Sequence, residues 1–296
     1  MSIQSKFDIA FLGHYTKDTI VLANKEKTVD GGAVIYGANV AARMGLRTAV
    51  ITRMARQDFR VLEELRGIGV QVFVRETSES TMLKLVYPSS NLDERVIYVT
   101  GFAEPFSMEE LSNVEASTFH VAASVRGEVP TQIVQSLKER ASRVSLDVQG
   151  FVRINSNGKL VSDDWRDRYE VLKCVDVVKA DLVEANIITG TRDKRKAAQA
   201  LAALGPSEVV LTNNESVLVH ADGHFYEAPF QPTELKGRSG RGDTCIAAYQ
   251  AKRATAPPAE ATIWAAAVTS LKLENEGPFR REIQEVRDLI KSKYQA

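Results

Sequence analysis

The residues best suited to chemistry lie at 237–245, where Gly237, Gly240 and Gly242 precede Asp243 and the alanine-containing run from Ile246 to Ala251. Glycines permit left-handed backbone and close approach of a ligand, and the run behind them has helix-forming composition, which predicts a helix starting at or near Asp243. Backbone N–H groups clustered at such a turn, together with the positive end of the helix dipole, favour an anion such as a phosphate. A carboxylate beside an anion site reads in two ways. Asp243 is either an N-cap, for which Asp is a favoured residue, or the base that takes a proton from a substrate hydroxyl. In the second reading the amides of Gly240, Arg241 and Gly242 hold the phosphoryl group being transferred.

Three further sets of polar residues fall at predicted strand ends. Asp181 and Glu184 follow the apolar run from Asp176 and head a helix that Gly190 closes. Acids there either offset the helix dipole, for ~0.3–1 kcal/mol, or face a magnesium ion, which keeps most of its waters and takes few protein ligands. His14 and Asp18 follow the first strand, where a carboxylate is either a turn residue or an acceptor for two vicinal hydroxyls of a ligand. Asp147 and Arg153 flank the end of another strand; Arg153 can pair with Asp147 or with phosphate.

Positioning these groups requires alternating strands and helices. Strands are predicted over residues 7–12, 48–52, 70–74, 118–122, 143–148 and 208–212, with helices over 33–45, 58–67, 130–140, 182–190, 259–273 and 282–294 between and after them. That alternation specifies an α/β fold with a mostly parallel sheet. Two stretches break the rhythm, 81–87 and 94–99, joined by a polar turn at 89–93; their period-two pattern predicts a hairpin. A second hairpin is predicted around Asp222-Gly223.

At 296 residues, with 44% hydrophobic and 26% charged residues, the chain has ample material for a buried core. Lys plus Arg equals Asp plus Glu at 38 each, so net charge calls for neither nucleic acid nor an anionic membrane as partner. Cys174 and Cys245 form no redox or metal motif and read as small buried thiols. Residues 1–6 lead straight into a strand, with no signal peptide and no run of ~18 apolar residues, so a cytoplasmic protein is expected.

Taken in order, Asp18, Gly31-Gly32, Asp181/Glu184 and Ser239-Gly240-Arg241-Gly242-Asp243 resemble the motifs of the ribokinase-like (PfkB) carbohydrate kinases over nearly the whole chain. The resemblance implies one three-layer α/β/α domain with a small β-strand lid, built from residues of about 14–32 and 81–104, through which a homodimer would form. It further implies ATP-dependent phosphorylation of a small polyol, a sugar or a cyclitol such as inositol. Asp243 is then the catalytic base and Gly240–Gly242 the anion hole. Asp18, Gly31, Gly32, Asn39 and His14 are then set around the polyol. Asp181, standing where the family has asparagine, and Glu184 organise magnesium (Mg2+), while Thr212, Asn214 and Asn275 contact the nucleotide. Three features depart from the family pattern: Arg241 replaces a small residue, the spacing from Gly32 to Asn39 is longer, and 213–216 lacks the glycines of a nucleotide loop. The resemblance leaves room for a nucleoside kinase. From another class, a catalytically silent metabolite-binding protein would keep the pocket without the chemistry.

Overall fold

The computed structural model describes residues 6–23, 25–88 and 95–294. The turn expected at 89–93 and residues 1–5 lie outside them. The chain opens with β1 (Phe7–Leu12), β2 (Thr16–Leu22), β3 (Lys25–Gly31) and α1 (Ala33–Arg43). There follow β4 (Thr48–Ala55), a 3-10 turn, α2 (Leu62–Gly67), β5 (Gln71–Thr77), β6 (Thr81–Tyr87) and β7 (Val96–Gly101). The middle carries β8 (Ala116–Val121), α3 (Thr131–Arg140), β9 (Arg143–Asp147), α4 (Gln149–Val152), β10 (Arg153–Ser156), β11 (Lys159–Ser162) and α5 (Arg168–Leu172). The last part holds β12 (Val177–Asp181), α6 (Leu182–Thr189), α7 (Lys194–Ala202), β13 (Glu208–Thr212), β14 (Ser216–Ala221), β15 (His224–Pro229), α8 (Arg241–Arg253), α9 (Pro258–Leu273) and α10 (Ile283–Lys293).

Nine strands form the main sheet in the order β15-β14-β13-β12-β9-β8-β1-β4-β5, parallel except at β14 and β15. β1 shows why: Phe7, Ala10 and Leu12 pack into one core and Ile9 and Phe11 into another, so both faces of the sheet are buried. The first core is closed by apolar residues of α3, α6 and α7, the second by those of α1, α8 and α9, which gives three α/β/α layers. Among the described residues no helix is long and apolar enough to cross a membrane. Cys245 is buried as expected, but Cys174 is only partly covered.

A second sheet, β10-β11-β7-β6-β2-β3, stands apart from the first. Four of its strands come from the two stretches expected to project from the main domain. The other two were not anticipated. β10 and β11 are joined by Asn157-Gly158, both left-handed (φ 51° and 82°), the signature of a tight hairpin turn, and β11 pairs with β7. β2 begins at Thr16, so Asp18 lies within a strand of the second sheet, opposite Val29 and beside Leu83, and not on a turn after β1.

Candidate functional site

A cavity of about 360 Å³ lies between the two sheets. Its floor is made by residues at the carboxyl ends of main-sheet strands: Ser124 beyond β8, Asp147 on β9, Asp181 on β12 and Thr212 on β13. That is where an open α/β sheet places its ligands. Leu83, Leu85 and Ile97 of the second sheet face the same space.

The turn before α8 forms one wall. α8 starts at Arg241, two residues earlier than expected, because Gly240 takes the left-handed conformation (φ 74°) and acts as the N-cap. Asp243 therefore occupies the third helical position and is not the cap, so the N-cap reading of its carboxylate does not hold. Its side chain lines the cavity. Burial pushes its pKa up to about 6, Asp147 adds to the rise, and Lys179 and Lys272 oppose it. The three amides expected to form the anion site are not equivalent. The N–H of Arg241 is taken by the carbonyl of Arg238 at 3.3 Å, whereas among the described residues those of Gly240, Gly242 and Asp243 have no backbone partner. Gly240 is sterically required here, at φ 74° and with a β-carbon that would lie 2.1 Å from Tyr36 Cδ1; one on Gly242 would lie 2.8 Å from Lys179 Nζ.

Beneath this turn sits an ion cluster that was not anticipated. Lys179 Nζ is 2.9 Å from Asp147 Oδ2 and 4.0 Å from Glu184 Oε2, with all three side chains nearly inaccessible. Burial acts against the ammonium, but Asp147, Glu184, Asp181 and Asp243 more than offset it, so Lys179 is held firmly charged. Glu184 is spoken for: Oε2 accepts the Asp181 N–H and Oε1 a bond from Arg153, both at 2.8 Å. Arg153 thus pairs with Glu184 and not with Asp147. Asp181 Oδ1 in return accepts the Glu184 N–H, completing a capping box. The Asp181 side chain lines the cavity, whereas that of Glu184 lies behind it. Among the described residues no three His, Cys, Asp or Glu gather as a metal set. Magnesium bound to phosphates needs only one or two carboxylates, and Asp181 fits that demand with Glu184 supporting it.

On the opposite side, Asp18 Oδ1 is buried and has no hydrogen-bond partner. Burial raises its pKa to about 6, against a hydrogen bond from Thr16 and the charge of Arg95. An orphaned buried acceptor facing a cavity is the mark of a missing polar ligand. Gly31 leaves room for it, since a β-carbon there would stand 2.8 Å from Asp18 Oδ2, and Gly32 caps α1 at φ 91° and lines the cavity.

Three expected site residues lie elsewhere. His14 is buried behind the cavity, its Nδ1 2.8 Å from Thr81 Oγ1 and its ring packed on Phe102 and Phe106. Asn39, on the buried face of α1, bonds Arg43 and Glu64 and does not reach the cavity; the longer spacing from Gly32 carries it one turn too far. Asn275 lies in a separate depression with Glu276 and Arg280. Thr212 and Asn214 do line the main cavity, and Arg241 Nη1 donates to Asn214 Oδ1 at 2.9 Å.

The family model described as "pfkB family carbohydrate kinase" matches residues 5–281. A solved pyrophosphate-dependent kinase of the ribokinase family, bound to a pyrophosphate analog and myo-inositol, is 34% identical and superimposes with a TM-score of 0.88, covering 95% of this chain and 99% of its own. A sulfate complex of a pyrophosphate-dependent kinase in that family is 36% identical, with a TM-score of 0.89 over 94% of this chain and 99% of its own. Among curated proteins, cytidine kinase of Thermococcus kodakarensis is 26% identical over 265 residues, 86% of this chain and 91% of that protein.

Proposed function

The chain belongs to the pfkB family of carbohydrate kinases, and on that premise we propose that it transfers a phosphoryl group from inorganic pyrophosphate to a hydroxyl of a small polyol such as inositol. The observation that carries this reading is the pairing of Asp243, at an anion-binding helix start, with the unpartnered Oδ1 of Asp18 in one cavity. Asp18 accepts hydrogen bonds from the polyol hydroxyls. Asp243 takes the proton of the hydroxyl to be phosphorylated, whose oxygen attacks the terminal phosphorus as the bridging P–O bond breaks and orthophosphate leaves. The free amides of Gly240 and Gly242 hold the moving phosphoryl oxygens. Asp181, fixed by its capping box with Glu184, would hold a magnesium ion at the cavity wall, and such an ion would neutralise phosphate charge.

Two features favour pyrophosphate over ATP, the donor expected from the family resemblance. Arg238, Arg241, Arg153 and Lys179 bring several cations to one part of the cavity. The turn at 213–216 folds on itself, with Asn213 Oδ1 accepting the N–H groups of Glu215 and Ser216, and Arg241 crosses to Asn214 where a nucleotide would approach. With myo-inositol as acceptor, kcat/KM for pyrophosphate is expected to exceed that for ATP by about tenfold or more, the loss of one or two charge-assisted contacts. The inverse ratio, measured by coupled release of phosphate or ADP, would restore ATP as the donor.

The similarity to a cytidine kinase keeps a nucleoside acceptor as the second reading, and a panel of cyclitols, sugars and nucleosides separates the two. A catalytically silent binder would show polyol binding by calorimetry and no transfer with either donor. Replacing Asp18 by asparagine is expected to raise KM for the acceptor by about 10- to 100-fold, as for loss of hydrogen bonds to a charged group, with a smaller change in kcat. An unchanged acceptor KM would remove Asp18 from the binding site.

A further inference from the structure

Lys272 stands near the C-terminus of α9, in a run that is otherwise apolar or small, and is 1% exposed. A lysine is almost never fully buried unless its ammonium has partners. Here they are backbone carbonyls. Nζ donates to Gly237 O at 2.8 Å and to Ser239 O, and its remaining side lies over the Tyr36 ring, 5.4 Å from the centroid. Tyr36 in turn packs against Gly240. The same stretch is fastened to the end of α9 by the N–H groups of Lys236 and Gly237, which both donate to Leu273 O, and Gly237 leaves no space for a β-carbon against Asn275 O.

These bonds converge on the residues immediately before the anion-binding amides. Orienting the carbonyls of 237 and 239 toward one cation fixes the peptide planes that lead into Gly240, and the plane of the Ser239 carbonyl carries the Gly240 N–H, so its direction is set and the entry into α8 with it. We infer that Lys272 is a positioning residue for phosphoryl transfer: an internal monovalent cation that holds the turn in its anion-binding shape without touching either substrate. The inference rests on the reading of that turn as the phosphoryl site.

The ammonium is also electrostatically poised. Burial lowers the pKa of Lys272 to about 8, opposed by the charge of Asp243. The groups facing it are Asp243 and Arg241 of α8, Glu276 after α9 and Tyr36 of α1. Its charge is present below about pH 8 and is lost above, so the turn should loosen as pH rises through that value.

The test compares wild type, Lys272→Met and Lys272→Arg in the pyrophosphate and ATP assays with a polyol panel, with melting temperatures recorded in parallel. Lys272→Met is expected to keep acceptor KM near wild type while kcat falls about 30-fold or more, in the range seen when an oxyanion donor is misplaced. Ammonium or methylammonium, able to enter the vacated carbonyl cage, is expected to restore at least several-fold of the loss. A folded Lys272→Met enzyme within about threefold of wild type, or a deficit that neither amine moves, overturns the inference. If Lys272→Met does not fold, Lys272→Arg decides. Wild-type donor affinity should weaken between pH 7 and 9 and that of the arginine variant should stay level; identical profiles overturn the inference. Wild type inactive with every donor and acceptor would instead refute the kinase reading beneath it.

Discussion

An Asp243→Asn enzyme is expected to lose about 10³-fold in kcat with little change in the KM of either substrate. The magnitude follows from removing a positioned general base, worth typically about 10²- to 10⁴-fold. Asparagine keeps the shape of the side chain at the third position of α8 and leaves the neighbouring amides in place, so binding survives while proton removal does not. In wild type the base must be ionised, and its pKa is raised to about 6. At saturating acceptor kcat should therefore climb as pH rises through about 6 and level off above it, and the residual kcat of the variant should lack that step; acceptor kcat/KM keeps a step from Asp18, whose pKa is also raised to about 6. Stability moves the other way. A carboxyl whose pKa is raised on folding favours the folded state at low pH and loses that contribution as pH climbs past its folded value. Asp243→Asn should accordingly melt above wild type at pH 8, with the difference vanishing toward pH 4. An asparagine variant retaining most of its kcat would remove Asp243 from the chemistry, and one melting below wild type at pH 8 would show that burial does not raise its pKa.

Lys179→Met should have the second largest effect, and chiefly on folding. The ammonium is wedged among Asp147, Asp181 and Glu184 below the turn, and its removal leaves like charges buried together. Breaking one partner of a buried pair costs about 3–5 kcal/mol. The double variant Lys179→Met with Asp147→Asn removes charge from both sides and is expected to recover much of that stability, while transfer stays impaired because the cation under Gly242 is gone. Melting curves of the two single variants and the double separate these terms. Equal destabilisation by Lys179→Met alone and by the pair would show that the methylenes of the lysine, and not its charge, carry the effect.

Much of the architecture was legible because local chemistry and tertiary context agree. The period-two and helical runs of the main sheet are buried on both sides, so pattern and packing select the same elements, and Gly240, Gly242 and Asp243 advertise an anion-binding helix start by residue type alone. Pattern failed where a side chain's partners come from afar. His14 and Asn39 stand near the right stretches, but one turns to Thr81 and the other to Arg43 and Glu64. Lys179 and Lys272 were overlooked, although each carried a signal: a lone lysine inside an otherwise apolar strand or helix demands a buried partner. Asn157-Gly158 announces the β10–β11 hairpin, but strands of only four residues are too short for a period-two pattern to mark them.

That hairpin has a consequence for anyone altering specificity. Arg153 at its base grips Glu184 behind the cavity, while Leu160, in the returning strand, is paired with Ile97, which lines the cavity from the second sheet. One short ribbon of backbone therefore ties the ion cluster behind the cavity to the wall that the second sheet contributes. In the function proposed above, the two ends of the reaction are mechanically yoked, and a substitution at Ile97 is expected to be felt at the Arg153 guanidinium as well.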